Sequence, residues 1–253
     1  MKRLLWLAAA ALVIGYPHVA RAQSEVTLIA PGGARAAIDQ LIPGFEKKTG
    51  IKVNAKFGSG LGTRKQVMNG DAFDVPVVQP PYQDVIASGA VVANSATPLA
   101  TVAVGVAVKK GAPKPDISSP DAVKKTLLAA KSISYPNPSG GAAAGVSFDE
   151  TLKKMGLAEQ LEPKLKRAQG GAGAMKMAAS GEVEVGLTFM SEMEDPGIDI
   201  VGPLPKAIST PTGLVGFVSS HAKDPAAAKK LLEYLSSPEA AAVYKGLKMQ
   251  PGK

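Results

Sequence analysis

The chain has 253 residues, a formal net charge of +8 and no cysteine. That length holds one large or two small domains with their own cores, at roughly 100–200 residues each. The lack of cysteine excludes disulfides, thiolate chemistry and a lipid-modified cysteine behind a leader, and scattered bases with 5% aromatics argue against nucleic acid as a partner.

The N-terminus reads as a secretory signal peptide over residues 1–22. Lys2 and Arg3 precede the apolar run Leu4–Ile14, and Ala20-Arg21-Ala22 places small residues where a signal peptidase inspects them, so cleavage is expected before Gln23. The run is about half the roughly 20 residues that a membrane-spanning helix needs. No later stretch is long and apolar enough to span. The expected product is a soluble protein exported through the inner membrane to the periplasm.

From there strands and helices alternate. Val26–Ile29 reads as a strand, and Ala34–Lys48 as a helix with Ile38, Leu41, Ile42 and Phe45 on one face, kinked or interrupted at Pro43. Ile51–Phe57 alternates as a half-buried strand. A helix over Gly60–Asn69, a strand over Asp74–Val78 and a short helix over Gln83–Ala87 follow. Repeated βα units imply a mainly parallel sheet covered by helices. Thr101–Val108 reads as one longer strand, ending in a Lys- and Pro-rich segment that marks the exit from a first lobe spanning 23–108.

A second βα series makes a second lobe over 109–205. Ser118 or Ser119 caps a helix running to Ala130, with Pro120 in its first turn. Ser132–Tyr135 is a strand, and Ser139–Gly156 opens on glycines and continues as a helix. Ala174–Ser180 reads as a helix, and Val183–Phe189 and Ile198–Val201 as strands. Beyond it, Leu214–Ser219 is a strand, Asp224-Pro225 starts a helix through Leu231, Leu232 and Leu235, and Ser237-Pro238 starts the last one, Glu239–Gly246.

Four βα loops carry the functional expectation. They are Ala30–Gly33, Gly58–Gly62, Gln79–Pro81 and, in the second lobe, Asn137–Gly141. Ligands of parallel α/β sheets bind at the carboxyl ends of the strands. Helix N-termini there offer free N–H groups and a positive dipole end, which suits an anion, and glycine lets a ligand approach the backbone. Neither a P-loop nor a dinucleotide fingerprint is present. Arg35 and Arg64 stand in the first turns after two of these loops, where a cation opposes the helix dipole; they read either as guanidinium groups offered to a ligand carboxylate or oxyanion, or as solvated or salt-bridged surface arginines.

No metal or cofactor is expected. His221 is the one histidine left after cleavage, since His18 leaves with the leader, and one histidine without cysteine makes neither a zinc cluster nor a Ser/His/Asp site. Glu192, Glu194 and Asp195 read as an acidic loop, with Glu192 the best-placed general base should the chain be an enzyme.

Three segments resemble the molybdate-binding, type-two periplasmic binding proteins. They are Gly58–Val78 (GSGLGTRKQVMNGDAFDVPVV), Ser139–Gly156 (SGGAAAGVSFDETLKKMG) and Ala179–Phe189 (ASGEVEVGLTF), with Gly70–Val75 similar to the family's GAPADV turn and strand. The resemblance implies an α/β protein of two lobes, each a mainly parallel sheet flanked by helices, with residues 206–253 returning to the first lobe. It implies a monomer that closes on a small anion and feeds the permease of an ABC-type importer. The ligand would lie against Gly32, Gly33, Arg35, Ser59, Gly60, Arg64 and Gln79 on one side, and Asn137, Ser139, Gly140 and Ser191 on the other. Gly33 stands where the family has a serine, and Phe189 where it has a tyrosine; the serine of the second loop matches Ser59 or Gly60. Each missing donor costs about 1–3 kcal/mol, which counts against molybdate and leaves an organic carboxylate or another oxyanion. The Gly32–Arg35 opening and Val201–Pro205 are also similar to an aconitate-isomerase-like branch, in which such a cleft would move an allylic proton of a tricarboxylate.

Overall fold

A computed structural model describes residues 24–252; the leader and its cleavage point lie outside them. In chain order the elements are β1 (Glu25–Pro31), α1 (Arg35–Thr49), β2 (Lys52–Gly58), α2 (Gly60–Met68), β3 (Val75–Val78), α3 (Gln83–Ala87), β4 (Thr97–Val102), β5 (Val104–Lys109), α4 (Pro120–Ala129), β6 (Ile133–Pro136), α5 (Ala143–Lys154), α6 (Ala158–Leu161), β7 (Leu165–Ala168), α7 (Gly170–Ser180), β8 (Val185–Phe189), β9 (Ile198–Pro203), β10 (Thr212–Gly216), α8 (Pro225–Leu235), α9 (Pro238–Gly246) and β11 (Gln250–Pro251). Single 3-10 turns at Gly32–Ala34, Pro138–Gly140 and Met190–Glu192 lie at cleft-facing strand ends.

The strands form two sheets, ordered β11-β4-β10-β3-β1-β2 and β7-β6-β8-β5-β9, each flanked by helices. The parallel pairing expected from βα repeats holds for β2-β1-β3 and for β7-β6-β8. The crossover strands add antiparallel pairs, β10 with β3 and β4, and β5 with β8 and β9, so both sheets are mixed. The two lobes share a continuous apolar cluster that runs from Phe45 through Val102 and Val104 to Phe148.

The expected single strand over Thr101–Val108 is two strands in different sheets. The chain leaves the first sheet at Ala103, ahead of the Lys-rich segment taken as the exit, and β5 already belongs to the second sheet. Hydropathy does not mark this break because Val102, Val104, Val106 and Val108 are all buried. The chain returns between β9 and β10, and β10 and β11 pair in the first sheet.

Pro43 does not interrupt α1. It lies on the exposed side of the helix, so the backbone hydrogen bond it cannot donate is lost where water can replace it. Helix starts follow the capping rule closely: Ser119, Asp224 and Ser237 accept from the N–H groups of Ala122, Ala227 and Ala240, each with proline following. Asp74, nearly fully buried, accepts from the N–H and hydroxyl of Thr27 and from the N–H of Lys223. One carboxylate thereby ties β1, the start of β3 and the C-terminal return together.

Candidate functional site

A cleft of about 870 Å³ lies between the carboxyl ends of the two sheets. Lobe 1 supplies the loops after β1, β2 and β3, and lobe 2 the loops after β6, β7 and β8. Of the residues expected from sequence, Gly32, Gly33, Arg35, Ser59, Gly60, Gln79, Asn137, Gly140 and Glu192 line it. Ser59 is the N-cap of α2; its Oγ accepts from the Gly62 N–H at 3.1 Å, which leaves its own proton for another acceptor. Asn137 Oδ1 accepts from the Ser139 N–H at 3.0 Å and shapes the turn before α5.

Three expected residues stand elsewhere. Arg64 lines an adjoining chamber that shares Gly60, Gln79 and Ala143 with the cleft and also holds Glu150 and the Pro80-Pro81 loop, because the first turn of α2 carries it past the cleft mouth. Ser139 is exposed, with its N–H held in the Asn137 turn, and is absent from the cleft wall. Ser191 is buried and donates to the Gly33 carbonyl at 2.8 Å. It joins the lobes rather than facing the cavity. A second interlobe bond runs from the Leu61 N–H to the Gly141 carbonyl at 3.2 Å.

The sequence reading did not single out the loop from Arg167 to Gly171, which forms one side of the cleft. β7 is short and half charged, so its alternation gave no strand signal, and α7 starts at Gly170 rather than Ala174 because its first turn is glycine-rich. The Gln169-Gly170-Gly171 run has the same character as the other glycine-rich cleft loops and is the available signal. Arg167 makes a two-pronged ion pair with Glu162, at 2.8 and 2.7 Å, and its guanidinium carbon lies 5.7 Å from the Tyr135 ring centroid. Glu162 holds the guanidinium proton even more firmly than usual, while Arg167 holds the Glu162 carboxyl below its ordinary range. Across the cleft, the Arg35 guanidinium carbon lies 4.5 Å over the Phe57 ring. None of the ion pairs found among the described residues involves Arg35.

Glu192 is the acidic group of this cleft. Its Oε2 accepts from the Thr188 hydroxyl at 2.5 Å. A β carbon on Gly32 would lie 3.4 Å from Oε1, and one on Gly171 would overlap Oε2, so the carboxyl is wedged between the glycine loops of the two lobes. Burial pushes its pKa up, against the opposing hydrogen bonds from Thr188 and the Phe189 backbone. A carboxyl that keeps its proton removes a negative charge from an anion site and becomes a donor or a proton reservoir. Among the described residues no group of three or more His, Cys, Asp or Glu side chains is placed to hold a metal ion, and no helix is long and apolar enough to cross a membrane.

This architecture, with its two glycine-looped lobes around an interlobe cleft, has clear relatives. A family profile described as bacterial extracellular solute-binding protein matches residues 26–246. The chain belongs to that family. It is 33% identical to aconitate isomerase of a Pseudomonas species, over 99% of this chain and 98% of that one. It is 30% identical to the molybdate-binding protein ModA of Azotobacter vinelandii, over 93% of each. The solved periplasmic molybdate-binding protein of Azotobacter vinelandii superposes with a TM-score of 0.75 at 19% identity, covering 90% of this chain and all of that one. This solute-binding protein shares the two-lobed fold of those neighbours, with Gly33 and Phe189 on its cleft wall.

Proposed function

We propose that this solute-binding protein takes a small organic polycarboxylate into its interlobe cleft and presents it in the periplasm to the permease of an ABC-type importer. The observation that carries this is the placement of Arg35 and Arg167 on opposite lobes of one cleft. Arg35, in none of the ion pairs among the described residues, can pair with one anionic end of a ligand, and Arg167 adds from the other lobe the N–H donors that its two-pronged pair with Glu162 leaves over. Helix N-termini at Gly60, Ala143 and Gly170 add backbone donors. A compact tetrahedral oxyanion would need hydroxyl donors, and Gly33 and Phe189 supply none.

Thermal shift and calorimetry against di- and tricarboxylates, molybdate, tungstate, sulfate and phosphate test the reading. Tricarboxylates should stabilise the protein, with about 2.7 kcal/mol gained at a hundredfold excess over Kd. Arg35→Ala and Arg167→Ala should each weaken binding roughly ten- to a hundredfold, the worth of a charged hydrogen bond. Arg64→Ala should leave it unchanged. A response to molybdate or tungstate with none to carboxylates would overturn the reading.

Glu192 favours a second reading, a tricarboxylate isomerase on the same fold, in line with the relative named aconitate isomerase. A cleft carboxyl with a raised pKa suits proton transfer. In such a reaction a base takes a proton from one allylic carbon, the double bond shifts, and a proton returns to the far carbon, with no net change in composition. Incubation with cis- or trans-aconitate followed by chromatography decides it: conversion that Glu192→Gln abolishes without loss of binding supports the isomerase, and unchanged substrate excludes it.

A further inference from the structure

Gln79 follows β3 and is 5% exposed. Neither its Oε1 nor its Nε2 has a hydrogen-bond partner, a state shared among buried side chains of the described residues only by the Ser209 hydroxyl. The carboxamide lies against the glycines of two cleft loops. A β carbon at Gly60 would collide with Oε1, and one at Gly33 would lie 3.9 Å from Nε2. The amide therefore occupies wall space that side chains on those loops would take, and Gln79 lines both the cleft and the adjoining chamber of Arg64.

An amide presents both donors and an acceptor, whereas an ionised carboxylate only accepts. A polycarboxylate can satisfy Nε2 and brings no donor for Oε1. Arg35, Arg167 and the helix N-termini are donors as well, so none of them competes for the ligand's proton-bearing groups. Turning the amide by half a turn exchanges its two atoms and leaves the same demand. A buried acceptor left unpaired weakens binding by about tenfold, and sites built to bond a hydroxyl discriminate strongly against analogues that lack it.

We propose that Gln79 makes the cleft selective for polycarboxylates that carry a hydroxyl group, its oxygen accepting the hydroxyl proton while its NH₂ donates to the neighbouring carboxylate. This rests on the polycarboxylate reading above and narrows its ligand class. Citrate and tricarballylate test it, since they differ by one hydroxyl. Calorimetry on the mature protein should show citrate bound at least tenfold tighter. In Gln79→Leu the two should bind within about twofold of each other, both more weakly than tricarballylate binds the wild type, with an unchanged circular dichroism spectrum as the sign of an intact fold. Equal binding by the wild-type protein, or a citrate preference that survives Gln79→Leu, overturns the role of Gln79 while leaving the polycarboxylate reading standing. If neither compound binds, the polycarboxylate reading falls and takes this inference with it.

Discussion

Gly171 leaves the space that the Glu192 carboxyl fills. A β carbon at position 171 would overlap Glu192 Oε2 and stand 2.5 Å from the Thr188 hydroxyl. The glycine starts α7 in lobe 2, and the carboxyl belongs to the turn after β8. The identity of one residue in a helix opening thus sets whether an acid can face the cleft.

Gly171→Ala should destabilise the protein by about 1–3 kcal/mol through overpacking. Position 171 is not among the residues with positive φ, so the cost comes from side-chain overlap and not from the backbone. Adding Glu192→Ala should restore part of the loss, since the Thr188 hydroxyl still stands 2.5 Å from the new β carbon. Urea denaturation of both single variants and the double variant measures this coupling; additive effects would mean that the two residues do not share space.

The raised pKa of Glu192 has a pH signature. The folded state holds the proton to higher pH than the unfolded chain, so stability is greatest below the ordinary carboxylate range and falls as pH rises toward the raised value. Glu192→Gln removes that dependence. Its melting temperature should match the wild type near pH 4 and exceed it at pH 8. Each tenfold difference in proton affinity between the folded and unfolded states is worth about 1.4 kcal/mol, or about 3–6 °C for a chain of this size. Parallel melting curves across that range would contradict the assignment.

Gly33→Ser, which restores the serine of the molybdate-binding relatives, should not restore their chemistry. A β carbon at position 33 would lie 2.9 Å from Cδ2 of Phe189. The ring and the glycine are a matched pair, and changing one alone forces the other to move. The variant should lose about 1–3 kcal/mol and show no thermal shift with molybdate. A molybdate response in this variant would show that the ring yields easily and that the missing hydroxyl alone set the specificity.

The alternation of strands and helices was legible because apolar faces, proline and serine caps are local signals, and α3, α4 and α8 lie close to where they were expected. The switch of sheets at Ala103 was not, because strands buried on both sides of a crossover make one unbroken apolar run. At the site, the loops after β1, β2, β3 and β6 were readable from glycine next to strand ends. Arg167 was not, because β7 lacks alternation and its arginine reads as surface charge until folding brings it to the same cleft as Arg35. Arg64 shows the reverse failure: helix phase, which loop position does not reveal, carries it into a neighbouring chamber.

Ser191 supplies the last prediction. Its hydroxyl crosses between segments 158 residues apart to reach the Gly33 carbonyl, and it sits next to Glu192 on a turn whose Met190 N–H bonds Ala103 at the crossover. The bond therefore joins the first loop of lobe 1 to the crossover and to the cleft's acid. Ser191→Ala removes it, at a cost of about 1 kcal/mol to the form in which the lobes touch. Ligand affinity should drop about fivefold, because binding must then supply the lost free energy of closure. The loss should appear equally for every ligand the cleft accepts, since Ser191 does not line the cavity. A drop confined to one ligand would instead place the hydroxyl in direct contact with it.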